Sequence, residues 1–270
     1  MPRQDLEYPN ESFSTVNRYS TRAQYALKTI HEIVNTCPIL HVSFNTPDSP
    51  FPATLPMIGH MGSFDSPSAD VGDVQDLYLH GYVSSRIINL ARAASDGKGL
   101  PMTIAASHVD GIVLALTPNS HSLNYRSALL FGHALPVTDP AEKLYAMQLI
   151  TDGLVPSRWV HTRVPPNAAE MQSTAVLRVR VATGSAKIRT GGPHDERGDV
   201  GDAALRARVW TGVVPVWQTL GEPVPGSYNE LGAVPAYLEE HRRGRNEEAQ
   251  RVAEEAAREE VQVASGKKGE

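Results

Sequence analysis

The run Leu77-Tyr78-Leu79-His80-Gly81-Tyr82-Val83-Ser84-Ser85-Arg86 holds the residues best suited to chemistry. An apolar strand leads into a turn, and two serines and an arginine then open a helix. The first N–H groups of a helix lack intrahelical partners and carry a partial positive charge, so an anion is stabilised there. The hydroxyls of Ser84 and Ser85 add donors, and the Arg86 guanidinium can hold phosphate oxygens bidentately. The same residues also fit a plain serine cap followed by a surface arginine. A second polar run, His121-Ser122-Leu123-Asn124-Tyr125-Arg126-Ser127, enters a strand and could line a ligand groove or form a solvated edge. A third, Trp210-Thr211-Gly212, could lay an aromatic face over a planar ligand or place a tryptophan in the core.

Four histidines, His80, His108, His121 and His133, lie near strand-like segments, which raises a metal or haem site. No pair has the i,i+4 spacing of a helical zinc site, and the single cysteine, Cys37, has no cysteine partner. The sequence contains no G-x-S-x-G, no G-x-x-x-x-G-K-[ST] and no strand-coupled G-x-G-x-x-G. Serine-hydrolase, P-loop and Rossmann chemistry are therefore unsupported.

The elements that must position these residues can be read from punctuation and periodicity. Residues 1–20 read as an extended, polar arm. Thr21 and Gln24 have capping-box spacing, and Ala26, Leu27, Ile30, Ile33 and Val34 form one helical face that stops at Cys37-Pro38. Short strands are predicted over 39–44, 53–58 and 77–80, then a helix over 84–95. Strands over 102–108 and 112–116 are expected to form a hairpin through Asp110-Gly111. A strand over 125–137 carries Gly132, which signals a bulge or a close backbone approach. Asp139-Pro140-Ala141-Glu142 starts a helix with Leu144, Met147 and Ile150 on its buried stripe, and Asn167 with Glu170 caps another. Residues 174–181 alternate as a half-buried strand, 191–207 read as a polar loop, and 209–217 as the last strand. The domain, 21–236, is followed by a charged, helical or disordered tail over 237–270. Six or seven short strands without alternating helices favour a mainly β, α+β fold, a small antiparallel barrel with flanking helices.

At 270 residues, 41% hydrophobic, the chain can build a sizeable core. One cysteine excludes a disulfide framework, and no apolar run reaches membrane-spanning length. The expected setting is cytoplasmic, with no membrane partner. A net charge of −5 argues against nucleic-acid binding through a broad basic surface.

Taken together, LYLHGYVSSR, SHVDGIVLAL, NYRSALLFGHA with the DPAEK helix, and WTGVVP resemble the FMN-binding split-barrel proteins of the pyridoxamine 5′-phosphate oxidase-like superfamily. The similarity is greatest to the flavin-nucleotide-binding and nitroimidazole-reductase-like branch, and runs from about Arg22 to Pro215. The resemblance implies a homodimeric, six- or seven-stranded split β-barrel, with FMN at the subunit interface and flavin redox chemistry on a small molecule. It places the FMN phosphate on Ser85 and Arg86 with Ser84 nearby, and the flavin ring beside Tyr78, Leu79 and His80 and beside the strand from Thr54 to Met57. It gives Tyr125, Arg126, Ser127 and Trp210 to the cofactor from the neighbouring subunit. Two departures matter: Ile87 stands where vitamin B6 oxidases carry lysine, and Thr54, Leu55, Pro56 and Met57 replace basic residues. Lys187 could supply charge from elsewhere. The alternative is a flavin- or haem-binding carrier or sensor without turnover. No side chain is assigned as a general acid or base.

Overall fold

In the computed structural model, residues 5–94 and 97–259 are described. The first four residues of the expected arm, Ser95 of the expected helix and residues 260–270 of the expected tail lie outside them. The chain divides into two compact units, Met1–Ser107 with Ser127–Lys187, and His108–Arg126 with Ile188–Glu270.

The first unit carries most of the sheet. Its elements are β1 (Ala23–Gln24), α1 (Leu27–Thr36), β2 (Leu40–Phe44), β3 (Ala53–Met57), β4 (Gly59–Gly62), β5 (Asp76–Tyr82), α2 (Arg86–Ala93), α3 (Pro140–Leu154) and α4 (Ala168–Ser173). Three long strands run through both units: β6 (Leu100–Leu114), β7 (Ser122–Pro136) and β8 (Thr174–Arg189). The second unit adds α5 (Arg197–Gly201), α6 (Ala203–Arg208), β9 (Gly212–Pro215) and α7 (Ala236–Arg258). The strand path is β3-β2-β6-β7-β8-β5-β4, with β1 on β8 and β9 on β6. Its two ends, β3 and β4, are separated in sequence only by Ile58, so the path returns on itself. The expected mainly β barrel with flanking helices is the observed fold class; seven of nine strands lie on the path.

Local chemistry explains most elements. Asp139 accepts a hydrogen bond from the Ala141 N–H at 2.8 Å, and Asn167 and Glu170 form a reciprocal capping box at α4. Gly132 is required because a Cβ there would lie 2.4 Å from the Arg180 carbonyl oxygen. The core of the first unit gathers Leu27, Ile30, Ile33 and Val34 of α1 with Val42, Leu77 and Leu177, all buried.

Four expectations are corrected. Thr21 does not cap α1: residues 20–22 form a short 3-10 turn and Ala23–Gln24 pair with Lys187–Ala186. Asp110-Gly111 is no hairpin but the interior of β6. Asp110 is buried and bound twice by Arg126, and the bare Gly111 lets β9 close in, since a Cβ there would meet Val213 Cγ1 at 2.7 Å. On α3 the buried face is Glu142, Ala146 and Ile150, while Leu144 is exposed. The 191–207 segment contains α5 and most of α6, the latter capped by Asp202.

Helix α7 lies within the charged C-terminal segment. Outside, it is laced by Arg251 with Glu248 and Glu255 and by Arg258 with Glu254. Inside, Ala253 and Ala256 are buried, and the Ala256 carbonyl accepts from Gly191 N–H at 2.7 Å and Asn124 Nδ2 at 3.2 Å. Among the described residues, no helix is long and apolar enough to cross a membrane.

Candidate functional site

The β5–α2 corner forms as its sequence dictates. Apolar β5 ends at Tyr82, the Ser85 N–H bonds back to the Tyr82 carbonyl at 2.9 Å, and Ser85 becomes the residue preceding the first turn of α2. Ile87 and Ile88 are buried and anchor that turn. The Ser85 side chain caps no helical N–H, and its Oγ is buried without a hydrogen-bond partner. A buried hydroxyl without a partner costs about 1–3 kcal/mol, so a rotamer change that turns this atom toward an acceptor at the corner's surface would be favoured. Ser84 and Arg86 are exposed at the same corner.

Arg86 forms an ion pair with Asp48, from the loop between β2 and β3. The Asp48 carboxyl is held below its ordinary range by its own backbone N–H, the Thr46 side chain and the Arg86 charge. The corner therefore carries a cation, a bare hydroxyl and helix-end donors, opposed by one carboxylate. That arrangement suits a phosphate able to outcompete the carboxylate for Arg86.

The loop joins this corner to an apolar cavity. Thr54 is exposed on β3, and its Oγ1 hydrogen-bonds Ser43 Oγ at 2.9 Å. Ser43, Phe44, Met102, Phe131 and His133 line a cavity of about 430 Å³, with Phe13 of the N-terminal arm at its wall. Phe13 meets Phe131 edge to face at 5.3 Å. Met57 is buried below, its Cε 3.9 Å from where a Cβ on Gly81 would stand.

Of the expected residues, Ser84, Ser85 and Arg86 share the β5–α2 corner, Met57 reaches Gly81 just before it, and Thr54 lies on β3 beside Ser43. His80, next along β5, has an exposed side chain. Tyr78 and Leu79 are placed differently, both fully buried. The Tyr78 hydroxyl donates to Glu142 Oε1 at 3.0 Å and its ring packs edge-on against Tyr145, while Leu79 fills the space left by Gly59. Neither side chain is open to a ligand. Ser127 and Lys187 form a separate pair, the serine hydroxyl donating to the Lys187 carbonyl at 3.1 Å. Tyr125, Arg126 and Trp210 belong to the second unit. There Arg126 grips Asp110 at 2.8 and 2.9 Å, and the exposed Trp210 ring lies over Gly212.

Asp48, Ser43 and Phe131 were not assigned to a site from the sequence, and His133 entered only as one of four histidines raising a metal or haem site, without the cavity it lines. Asp48 lies 38 positions from Arg86, with no spacing rule to connect them. His133 follows Gly132 in an alternating strand, and that alternation could have marked it as lining the outer face. Among the described residues, no group of three His, Cys, Asp or Glu is placed to hold a metal ion.

Comparison with known proteins gives a consistent family. A family model described as pyridoxamine 5′-phosphate oxidase matches residues 27–188. The flavocytochrome Anf3 from Azotobacter vinelandii is 27% identical, covers 88% of this chain and 99% of its own, and superposes with a TM-score of 0.70. The FAD and haem binding protein from Mycobacterium smegmatis is 24% identical over 82% of this chain and 97% of its own, with a TM-score of 0.67. No curated protein matches the sequence. With more than half its length matched by the family model, and with the β5–α2 corner inside that match, the chain belongs to the pyridoxamine 5′-phosphate oxidase family.

Proposed function

We propose that this protein binds a flavin, FMN in the first place, and serves as a flavin-dependent oxidoreductase. The observation that carries this reading is the buried, partnerless Ser85 Oγ beside Arg86 at the start of α2, within the part of the chain that matches the family. In this reading Ser84, Ser85 and Arg86 hold the phosphate. Thr54 and His80 flank the ring system, and the neighbouring cavity receives its apolar part or a substrate. The residues fit the group: a terminal phosphate carries nearly two negative charges, which a guanidinium and helix-end N–H groups satisfy. Bound flavin supplies hydride or electron-pair transfer, and the chain supplies orientation and electrostatics. Ile87, buried where a lysine would add charge, leaves Arg86 as the main cation. A second subunit completes the site in this reading. Phe51, Ile58, Tyr82 and Leu129 of the first unit are exposed apolar residues that a partner would cover.

The test is a titration with FMN and with riboflavin, which lacks the phosphate. Arg86→Ala is expected to weaken FMN about 10- to 100-fold, the equivalent of a charge-assisted contact of about 1.5–3 kcal/mol. Riboflavin should be unaffected. Asp48→Asn is expected to shift FMN the other way, by a few-fold, because it removes the carboxylate that competes for Arg86. Unchanged FMN affinity in Arg86→Ala would end the phosphate assignment.

One observation favours a second reading, a haem alongside the flavin. His133, half-buried among Phe131, Met102 and Phe44, offers a nitrogen inside an apolar cavity, and Anf3 is a flavocytochrome. If this holds, haem-loaded protein shows a Soret band that shifts or vanishes in His133→Ala. An identical band in that variant removes His133 as an axial ligand.

A further inference from the structure

A second cluster of positive charge lies away from the β5–α2 corner. Tyr19 stands before the 3-10 turn with a left-handed φ of 56°, and its ring is half exposed. Three cations converge on that ring: Arg22 Cζ at 4.4 Å, Arg18 Cζ at 5.2 Å and Lys187 Nζ at 5.7 Å from its centroid. The cluster is held from two sides. Lys187 is a β8 residue paired with Ala23 of β1, and its ammonium donates to the Arg18 carbonyl at 2.8 Å. Along β8, Lys187 is remote from Thr174, the residue that pairs with Tyr82 just before Ser84–Arg86.

Among the ion pairs of the described residues, none involves Arg18, Arg22 or Lys187. Three like charges around one ring lie within a Debye length of one another, about 10 Å at 0.1 M salt, and repel. Each exposed cation–π contact returns only about 0.5–1 kcal/mol. In a chain of net charge −5, a local excess of positive charge without a carboxylate has one chemical complement, a multiply charged anion.

We propose that Arg18, Arg22 and Lys187, gathered on Tyr19, form an anion site that takes a diphosphate group. Its source is either free diphosphate or the diphosphate of a nucleotide. None of its residues belongs to the β5–α2 corner, and Lys187, offered above as an extra charge for the flavin, is assigned here instead.

The experiment is calorimetric titration of the full chain carrying Arg86→Ala, so that the other corner contributes nothing. The ligands are inorganic diphosphate, ADP and adenosine, each at low and at high salt. Binding of diphosphate or ADP, weakened by salt and absent for adenosine, is expected. Arg22→Gln with Lys187→Gln should weaken it tenfold or more at an unchanged thermal midpoint, while Arg22→Lys, which keeps the charge, should retain most of it. ADP binding at least as tightly as diphosphate identifies a nucleotide source; the reverse order identifies free diphosphate. Absence of binding by both anions, equal affinity for adenosine, or indifference to the paired glutamines would overturn the proposal.

Discussion

Glu142→Ala is expected to lower the stability of this protein by about 3 kcal/mol. Glu142 sits in the first turn of α3, where an acid also suits the helix dipole, but its side chain is turned inward and almost fully buried. It accepts from the Tyr78 hydroxyl at 3.0 Å and from Arg178 Nη1 at 2.8 Å. Arg178 Nε stands 3.8 Å from Asp76 Oδ2, and burial pushes the Asp76 carboxyl above its ordinary range while Arg178 opposes it. Removing Glu142 leaves the Tyr78 hydroxyl unpaired in the core and Arg178 with its more distant carboxylate alone. Breaking a buried ion pair from one side costs about 3–5 kcal/mol, and the partial exposure of Arg178 places this case at the lower end. Glu142→Gln keeps an acceptor for Tyr78 and should cost less. Arg178→Met in the Glu142→Ala background should recover part of the loss, since it removes the stranded charge. Urea unfolding at neutral pH reads all three; a loss under 1 kcal/mol for Glu142→Ala would show that the network contributes little.

Acid should destabilise the protein through His31. This residue of α1 is fully buried, with Nε2 2.6 Å from the Tyr8 hydroxyl. Burial holds its pKa down at about 4, against an ordinary 6.5, with the Val71 backbone opposing the shift. The folded ring stays neutral while the unfolded ring takes a proton below pH 6.5. Its contribution is therefore complete above that pH and lost as the pH falls from 6.5 toward 4. A shift of this size corresponds to about 3 kcal/mol. The half-buried His60, lowered by burial, adds in the same direction. Chemical denaturation at pH 7.5 and at 4.5 should show the loss in the native sequence and a clearly smaller one in His31→Gln. Equal losses in the two proteins would assign the acid sensitivity to other groups. The Tyr8–His31 contact also ties residue 8 of the N-terminal arm to α1, an attachment the arm's polar composition conceals.

The sequence was most readable where local chemistry decides the outcome. The Asp139 and Asn167 caps, the clash that keeps Gly132 bare, and the apolar run that launches α2 all act over a few residues, and all appear in the fold. Misreadings arose where a distant partner overrides local preference. Asp110-Gly111 has turn chemistry, yet Arg126 and β9 hold it inside a straight strand. Thr21 and Gln24 have the spacing of a cap, yet β8 draws Ala23 and Gln24 into the sheet. At the candidate site, Ser85 and Arg86 could be named from their order alone. Asp48 could not, because only the folded β2–β3 loop sets it against Arg86. Tyr78 and Leu79 show the converse limit. Over Leu77–Leu79 the strand is buried on both faces and opens only from His80 onward, and alternation could not reveal that α3 covers Tyr78.

Upstream, α7 is tied by Asn246 to the Leu220 backbone and by Arg242 to Glu222; toward its C-terminal end the grip rests on two methyl groups and one carbonyl. Along its outer surface, Arg251, Glu255, Arg258 and Glu254 pair within the helix, so they can exchange places or give way to other polar residues with little effect on folding. Positions 253 and 256 have no such latitude: anything larger than alanine lifts the helix away from the donors of Gly191 and Asn124. Relatives that keep this helix should therefore vary freely in charge along it while retaining small residues at two sites three apart.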